Sequence, residues 1–131
     1  MKSQIYLFIF VFFTLSCRKE RMVDDYSKYV GEYQWLYTVG GWAPVVTSPF
    51  SEGYQLKLEI KKSGRCFLFL DNEKISKGKI TKHNNQLFIE LNDKNKKDIY
   101  INDNISEFKN DTLIIGGGCC DKPSSIYLKT K

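Results

Sequence analysis

Few side chains in this sequence could carry chemistry, and they fall in four places. The loop Gly116-Gly117-Gly118-Cys119-Cys120-Asp121-Lys122-Pro123 holds two adjacent thiols; the others are Cys66 and Cys17. Such thiols suit a disulfide, thiol redox work or a soft-metal site. Zinc requires about four ligands at characteristic spacings, and a vicinal pair supplies two of them poorly, so no metal is expected. The three glycines do not form a phosphate loop, because neither Gly-Lys-Ser/Thr nor a helix follows them. His83, the single histidine, sits in the turn Lys82-His83-Asn84-Asn85. Without a second histidine or a neighbouring nucleophile it cannot assemble the usual base relay. The turns Asp71-Asn72-Glu73, Asp93-Lys94-Asn95 and Asp103-Asn104 lack the ordered oxygens and bend glycine of a calcium loop. Glu59, Glu90 and Glu107 could pair as glycosidase carboxylates, but nothing in their spacing singles them out. The expectation is a chain that is not an enzyme and carries no cofactor.

The fourth place is the segment from Gly40 to Gly53, GGWAPVVTSPFSEG, fourteen residues with two prolines and three glycines. It exceeds an ordinary hairpin turn, and long ordered loops are often lids or binding loops. Trp42 and Phe50 could face a sugar or an apolar ligand. Alternatively they fold back as core, since large aromatics gain most from burial.

The elements that must position these residues are strands. Tyr54 to Lys61 alternates strictly between apolar and polar, the period of a strand with one face on a core. Ser63-Gly64 turns the chain into Cys66-Phe67-Leu68-Phe69-Leu70, apolar on both faces and expected to be buried on both. Further apolar runs fall at residues 75–80, 87–91, 99–101, 105–108, 113–115 and 126–128, and Tyr33, Trp35, Tyr37 and Val39 alternate in a first strand at residues 31–39. Between them stand Asn, Asp and Gly, which tolerate the positive φ of tight turns. Short strands joined by short turns imply antiparallel neighbours, and closing the meander removes its exposed edges. The fold class predicted is all-β, a small antiparallel up-and-down β-barrel of about eight strands. An interior of that size is either filled by side chains or holds one small ligand.

Gly31-x-Tyr33-x-Trp35, Gly40-Gly41, the strand entering Ser63-Gly64, Ser76-x-Gly78-x-Ile80, Asp111-Thr112-Leu113 and the closing Tyr127-x-Lys129 together resemble the small lipocalin-like β-barrel lipoproteins of Bacteroidota. The resemblance covers most of residues 30–130. It implies a barrel hung from a lipidated cysteine, with activities mostly unassigned.

The N-terminus agrees with it. MKSQIYLFIFVFFTLSC has a basic start, an eleven-residue apolar run from Ile5 to Leu15, then Ser16, Cys17 and the charged Arg18-Lys19-Glu20. It resembles a bacterial lipoprotein signal: the run fits the roughly 7–15 residues of a secretory core and is short of the roughly 20 that span a bilayer. The expected organisation is a signal peptide at 1–16, the lipidated Cys17 with a polar tether to residue 29, and a barrel domain over 30–131. The implied location is the bacterial cell envelope, lipid-anchored to a membrane, the outer one by expectation. Each buried methylene contributes about 0.8 kcal/mol, and stable anchoring needs more than one acyl chain.

With Cys17 lipidated, three thiols remain for an oxidising compartment. A bridge from Cys66 to Cys119 or Cys120 would close a loop of more than fifty residues, stabilising by about 4 kcal/mol in the chain-entropy model. Cys119 bonded to Cys120 would form a strained, labile ring. The net charge of +5 falls to +4 without Lys2. Its lysines are interleaved with acids, amides and strand residues, the pattern of a solvated surface; no nucleic-acid reader motif accompanies them. The expected function is a membrane-anchored, non-catalytic binding module, the alternative a structural or interaction lipoprotein, and the two divide on the interior. A hollow barrel would bind a small apolar molecule or a glycan, with Tyr33, Trp35, Trp42 and Phe50 as candidate contacts and Leu56, Leu58 and Phe69 as lining. A filled one would leave a structural or interaction role toward an envelope protein.

Overall fold

Period-two alternation resolves into a single antiparallel sheet that closes on itself. The computed structural model describes residues 24–40, 45–92, 103–117 and 121–131. Its strands are β1 (Gly31–Gly40), β2 (Val45–Thr47), β3 (Leu56–Ile60), β4 (Arg65–Leu70), β5 (Glu73–His83), β6 (Gln86–Leu91), β7 (Asp103–Lys109), β8 (Thr112–Gly116) and β9 (Ser124–Lys129). Apart from β2, each strand pairs with the next along the chain, and β9 returns to β1, so eight strands form an up-and-down barrel. The short β2 is an extra strand, paired with β1 only through Thr38, Val39 and Gly40. The signal peptide, Cys17, Trp42, the expected strand at 99–101, Cys119 and Cys120 lie outside the described residues.

Turn chemistry sets the connections. Asp71-Asn72, Asn84-Asn85 and Asn110-Asp111 hold φ between 48° and 71° at both positions, the two-residue type I′ geometry whose twist matches the flanking strands. Residues 62–64 close the β3–β4 hairpin with Gly64 at φ 78°, and Lys61 donates its N–H to the Arg65 carbonyl at 2.9 Å. These three-residue and type I′ turns cluster, with one exception, at the barrel end where the chain enters. The β4–β5 turn, the long β1–β3 excursion and the β8–β9 connection lie at the far end.

Inward positions make the core. Leu56, Leu58 and Ile60 of β3 are buried as their alternation predicts, and they meet Tyr33, Trp35, Cys66, Leu68, Ile89, Leu113, Ile115 and Tyr127. Tyr33, Leu58, Ile89 and Leu113 have 0% exposure, so no water-sized space touches them. Each such side chain contributes about 1.5–3 kcal/mol by burial. Among the described residues no buried side-chain polar atom lacks a hydrogen-bond partner.

Three expectations are corrected. The alternation Tyr33, Trp35, Tyr37, Val39 does not keep one face: the β1–β9 register shifts between Trp35 and Tyr37, and this bulge at Leu36 turns Tyr37 outward and Thr38 inward. Trp35 Nε1 donates to Thr38 Oγ1 at 2.9 Å, and Thr38 Oγ1 shares a 2.9 Å hydrogen bond with Ser125 Oγ. Secondly, β4 is not buried on both faces. Phe67 and Phe69 point outward, half-buried, with the Lys74 ammonium 5.2 Å above the Phe67 ring and the Lys57 ammonium 4.6 Å above that of Phe69. Lysine stems, rather than a second layer, cover them.

Thirdly, residues 24–29, expected as tether, form a 3-10 helix (Asp24–Tyr29) against the entry end. With three residues per turn, Tyr26 and Tyr29 stack on one face. Tyr29 is buried edge-on to Phe108 at 5.5 Å, while the Tyr26 hydroxyl donates to the Lys62 carbonyl at 3.0 Å. Tyr33 fastens this plug from inside, donating its hydroxyl to the Tyr29 carbonyl at 2.7 Å.

Two stability outcomes follow. Tyr33→Phe deletes the bond to the plug and should cost about 1–3 kcal/mol, the penalty for unpairing a buried group, read as a lower urea midpoint at unchanged slope. Gly78→Ala should cost more, because a Cβ there overlaps the Glu90 carbonyl and the β5–β6 pair has to separate; far-UV melting curves would register it.

Candidate functional site

The outward side chains of β4, β5 and β6 form the most chemically distinctive surface. Antiparallel register places Arg65 opposite Lys79 and Phe67 opposite Lys77, and a bulge after Leu68 then sets Phe69 opposite Lys74. Lys79 in turn faces Glu90 on β6, and the Asn92 N–H donates to the Lys77 carbonyl at 2.9 Å. The result is an open groove of about 700 Å³ lined by Arg65, Phe67, Lys74, Lys77, Gly78, Lys79, Glu90 and Asn92. Gly78 belongs here because its missing side chain lets β6 approach closely. Residues directly opposite have Cβ atoms about 4.5–5.5 Å apart; alternate residues of one strand are about 6–7 Å apart. Four cations thus share one wall with one carboxylate.

That carboxylate is engaged. Glu90 Oε1 accepts from Thr81 Oγ1 at 2.8 Å and lies 3.1 Å from His83 Nε2. The Thr81 hydrogen bond foremost, then the His83 hydrogen bond and the nearby His83 and Lys79 charges, hold its pKa below the ordinary carboxylate range. The imidazole also packs edge-on to Phe88 at 5.5 Å. Arg65, Lys74 and Lys77 are within ion-pair distance of no carboxylate among the described residues, where the ion pairs are Lys61–Glu59, His83–Glu90 and Lys122–Asp103.

A second cavity of about 470 Å³ opens at the entry end between β6 and β7, lined by Lys28, Tyr29, Asn85, Gln86, Leu87, Asn104, Ile105 and Ser106. It exists because those strands register only at Phe88–Asn104 and Ile89–Asp103. Below that they part, and the 3-10 helix fills the wedge.

The residues singled out from sequence do not converge. Tyr33 and Trp35 are core, with Trp35 stacked on Tyr54 at 5.8 Å. Phe50 is 99% exposed, carried on a one-turn helix, α1 (Pro49–Glu52), which Ser48 and Ser51 cap reciprocally. It neither plugs the barrel nor joins Tyr33. Phe69, expected as interior lining, is on the outer wall. Cys66 is a free, buried thiol whose S–H donates to the Gly64 carbonyl at 3.8 Å. It sits beside the entry-end turn, whereas Gly116 and Ser124 pair at the far end; Cys119 and Cys120 lie outside the described residues. Among the described residues no three His, Cys, Asp or Glu gather as a metal site.

Burial decides what these groups can do chemically. It pushes the Cys66 thiol up to about 12, and it raises the Tyr127 phenol, with a lesser push from Tyr54. Tyr33 is raised by burial first, then by the charges of Asp111 and Tyr29. All three stay neutral at physiological pH and act as packing, since a thiol needs its thiolate form to react. The basic groove was missed from sequence because its lysines read as scattered solvated charge. The signal was present in Arg65, Phe67 and Phe69 set against Lys74, Lys77 and Lys79, visible only once β4 and β5 are folded antiparallel.

Peptide mapping after alkylation at pH 8 should leave Cys66 unmodified in the native protein and label it fully in urea; rapid native labelling would overturn its placement. A scan against protein-family models finds no match to this chain, and neither does a search of curated proteins or of solved structures.

Proposed function

We propose that this chain is a lipid-anchored, non-catalytic binding and interaction module of the bacterial envelope, working through the outside of a filled barrel. One observation carries the choice of surface: Tyr33, Leu58 and Leu113, in the half of the barrel nearer the entry end, have 0% exposure, and Trp35, Leu68 and Ile115 farther along have 3%, 2% and 2%. A ligand of several hundred cubic ångströms, the usual size of a small-molecule site, has no room beside them. Ligand or partner therefore meets the wall, the entry-end cleft or the apolar rim formed by Val45, Val46 and Phe50, which are more than half exposed.

The anchoring half of the reading rests on the signal-like N-terminus and on Cys17, and the chain direction is compatible with it. Asp24 begins the 3-10 helix at the entry end, so an acylated Cys17 would hold that end toward its membrane and leave the far end pointing away. No helix among the described residues is long and apolar enough to cross a membrane, which neither supports nor opposes a lipid anchor. The neutral phenols and the buried thiol support the non-catalytic reading, since none is poised as an acid, base or nucleophile.

Metabolic labelling with an alkyne fatty acid should mark the protein expressed in a diderm bacterium, and Cys17→Ser should abolish both the label and membrane fractionation. A neutral apolar fluorophore such as N-phenyl-1-naphthylamine should show no saturable binding to the purified barrel. Stoichiometric binding that is lost in Leu58→Trp would instead establish a ligand-holding lumen.

A further inference from the structure

We propose that the groove on β4, β5 and β6 binds an anionic saccharide, a chain bearing carboxylate or sulfate groups, with Arg65, Lys77 and Lys79 contacting the charges and Phe67 the sugar face. The inference rests on the reading of the outer wall as the working surface and gives that surface a ligand class.

Electrostatics supply the first support. Arg65 and Lys79 stand directly opposite one another across the β4–β5 pair, with Lys77 two residues along. Like charges directly opposite on a sheet are destabilising. Among the described residues Glu90 is the sole carboxylate lining the groove, and it is already committed to Thr81 and His83. Lys79 acts on Glu90 through space, but Arg65, Lys74 and Lys77 are within ion-pair distance of no carboxylate among the described residues. An anion laid along the groove would relieve that repulsion, so the free protein carries an unfavourable charge arrangement that a ligand corrects.

Shape and aromatic content select the class of anion. The groove is concave, about 700 Å³, and its floor is the half-buried Phe67 ring with the Lys74 ammonium 5.2 Å above it. Asn92 at one edge adds an amide that can pair with hydroxyls. A ring face between cations suits a sugar, whose apolar C–H face packs on an aromatic while its acidic substituents reach the lysines. A flat bilayer of anionic headgroups fits less well, because one at the entry end, where Asp24 emerges, would meet Arg65 beside the entry-end turn but not Lys74 and Asn92 toward the far end of the groove.

Heparin serves as the anionic saccharide probe, polyphosphate as a sugar-free polyanion, and vesicles of phosphatidylglycerol and phosphatidylethanolamine as the lipid alternative. Titrations by calorimetry should give saturable, salt-weakened heparin binding. The triple change Arg65→Gln, Lys77→Gln, Lys79→Gln should weaken it at least tenfold. The change Lys109→Gln, Lys122→Gln, Lys131→Gln, which removes equal charge elsewhere, should leave it within about threefold. Phe67→Ala should weaken heparin but not polyphosphate, and melting curves of each variant establish that it is folded. Equal losses in the two triple variants would overturn the site. Polyphosphate binding as tight as heparin, or vesicle binding with the same dependence on Arg65, Lys77 and Lys79, would overturn the saccharide. Either failure leaves the filled-barrel reading standing, since that depends on the apolar fluorophore and not on heparin.

Discussion

The pairing of β9 with β1 is the contact on which the rest of the structure depends. It runs from Tyr33–Lys129 to Val39–Ser124 and joins the two strands most distant in sequence. Without it the meander would leave β1 and β9 as open edges and the interior side chains would face solvent. Closure with eight strands also fixes the diameter. At that number the interior is just wide enough to be filled by side chains, and Tyr33, Trp35 and Tyr127 are buried inside it. Trp35 and Tyr127 stand opposite each other on the closing strands, so the seam is also where the largest core residues lie.

Closure has a polar cost, met locally. The bulge at Leu36 lets β1 bend enough to reach β9, and by shifting parity it brings Thr38 inside, where an isolated hydroxyl would be penalised. Trp35 and Ser125 supply its partners at 2.9 Å each. Toward the far end the β1–β9 seam thus carries a short hydroxyl–indole chain, while the entry end is closed by an aromatic plug in which Tyr29, Tyr33 and Phe108 meet edge to face. The Lys129 ammonium lies 6.0 Å from both the Tyr33 and the Phe108 rings, adding a cation at the rim of the same cluster.

Much of this fold was legible from the chain alone, for identifiable reasons. The β3 alternation Leu56, Leu58, Ile60 could point only one way once one face was apolar, and Asp71-Asn72 or Asn84-Asn85 could hardly be anything but tight turns. What escaped were features that need a partner strand to exist. A bulge is a mismatch between two strands, so neither β1 nor β9 announces it. The β2 strand is three residues that form only by folding back on Thr38–Gly40, inside a segment that reads as a loop. The plug at 24–29 has just two tyrosines among charged residues, and their spacing of three suits a 3-10 turn that propensity rules do not single out. The outer groove is the extreme case, because Arg65 and Lys79 are fourteen residues apart and become neighbours only through register.

The outward aromatics give that wall an apolar content unusual for a solvated face. A strand that alternates Cys66 and Leu68 inward with Phe67 and Phe69 outward places two large apolar rings where water would meet them. Sheets tolerate this when something covers the rings, and here the cover is Lys57 and Lys74. Such a cover is removable: a lysine stem over a ring is held by about 0.5–1 kcal/mol at an exposed site, less than a charge-assisted hydrogen bond to a carboxylate or sulfate supplies. An anion that draws Lys74 aside exposes the Phe67 face at the moment a ligand arrives to occupy it. Because Cys66 and Leu68 face the opposite side of β4 and are buried, this exchange of one cover for another leaves those core residues in place.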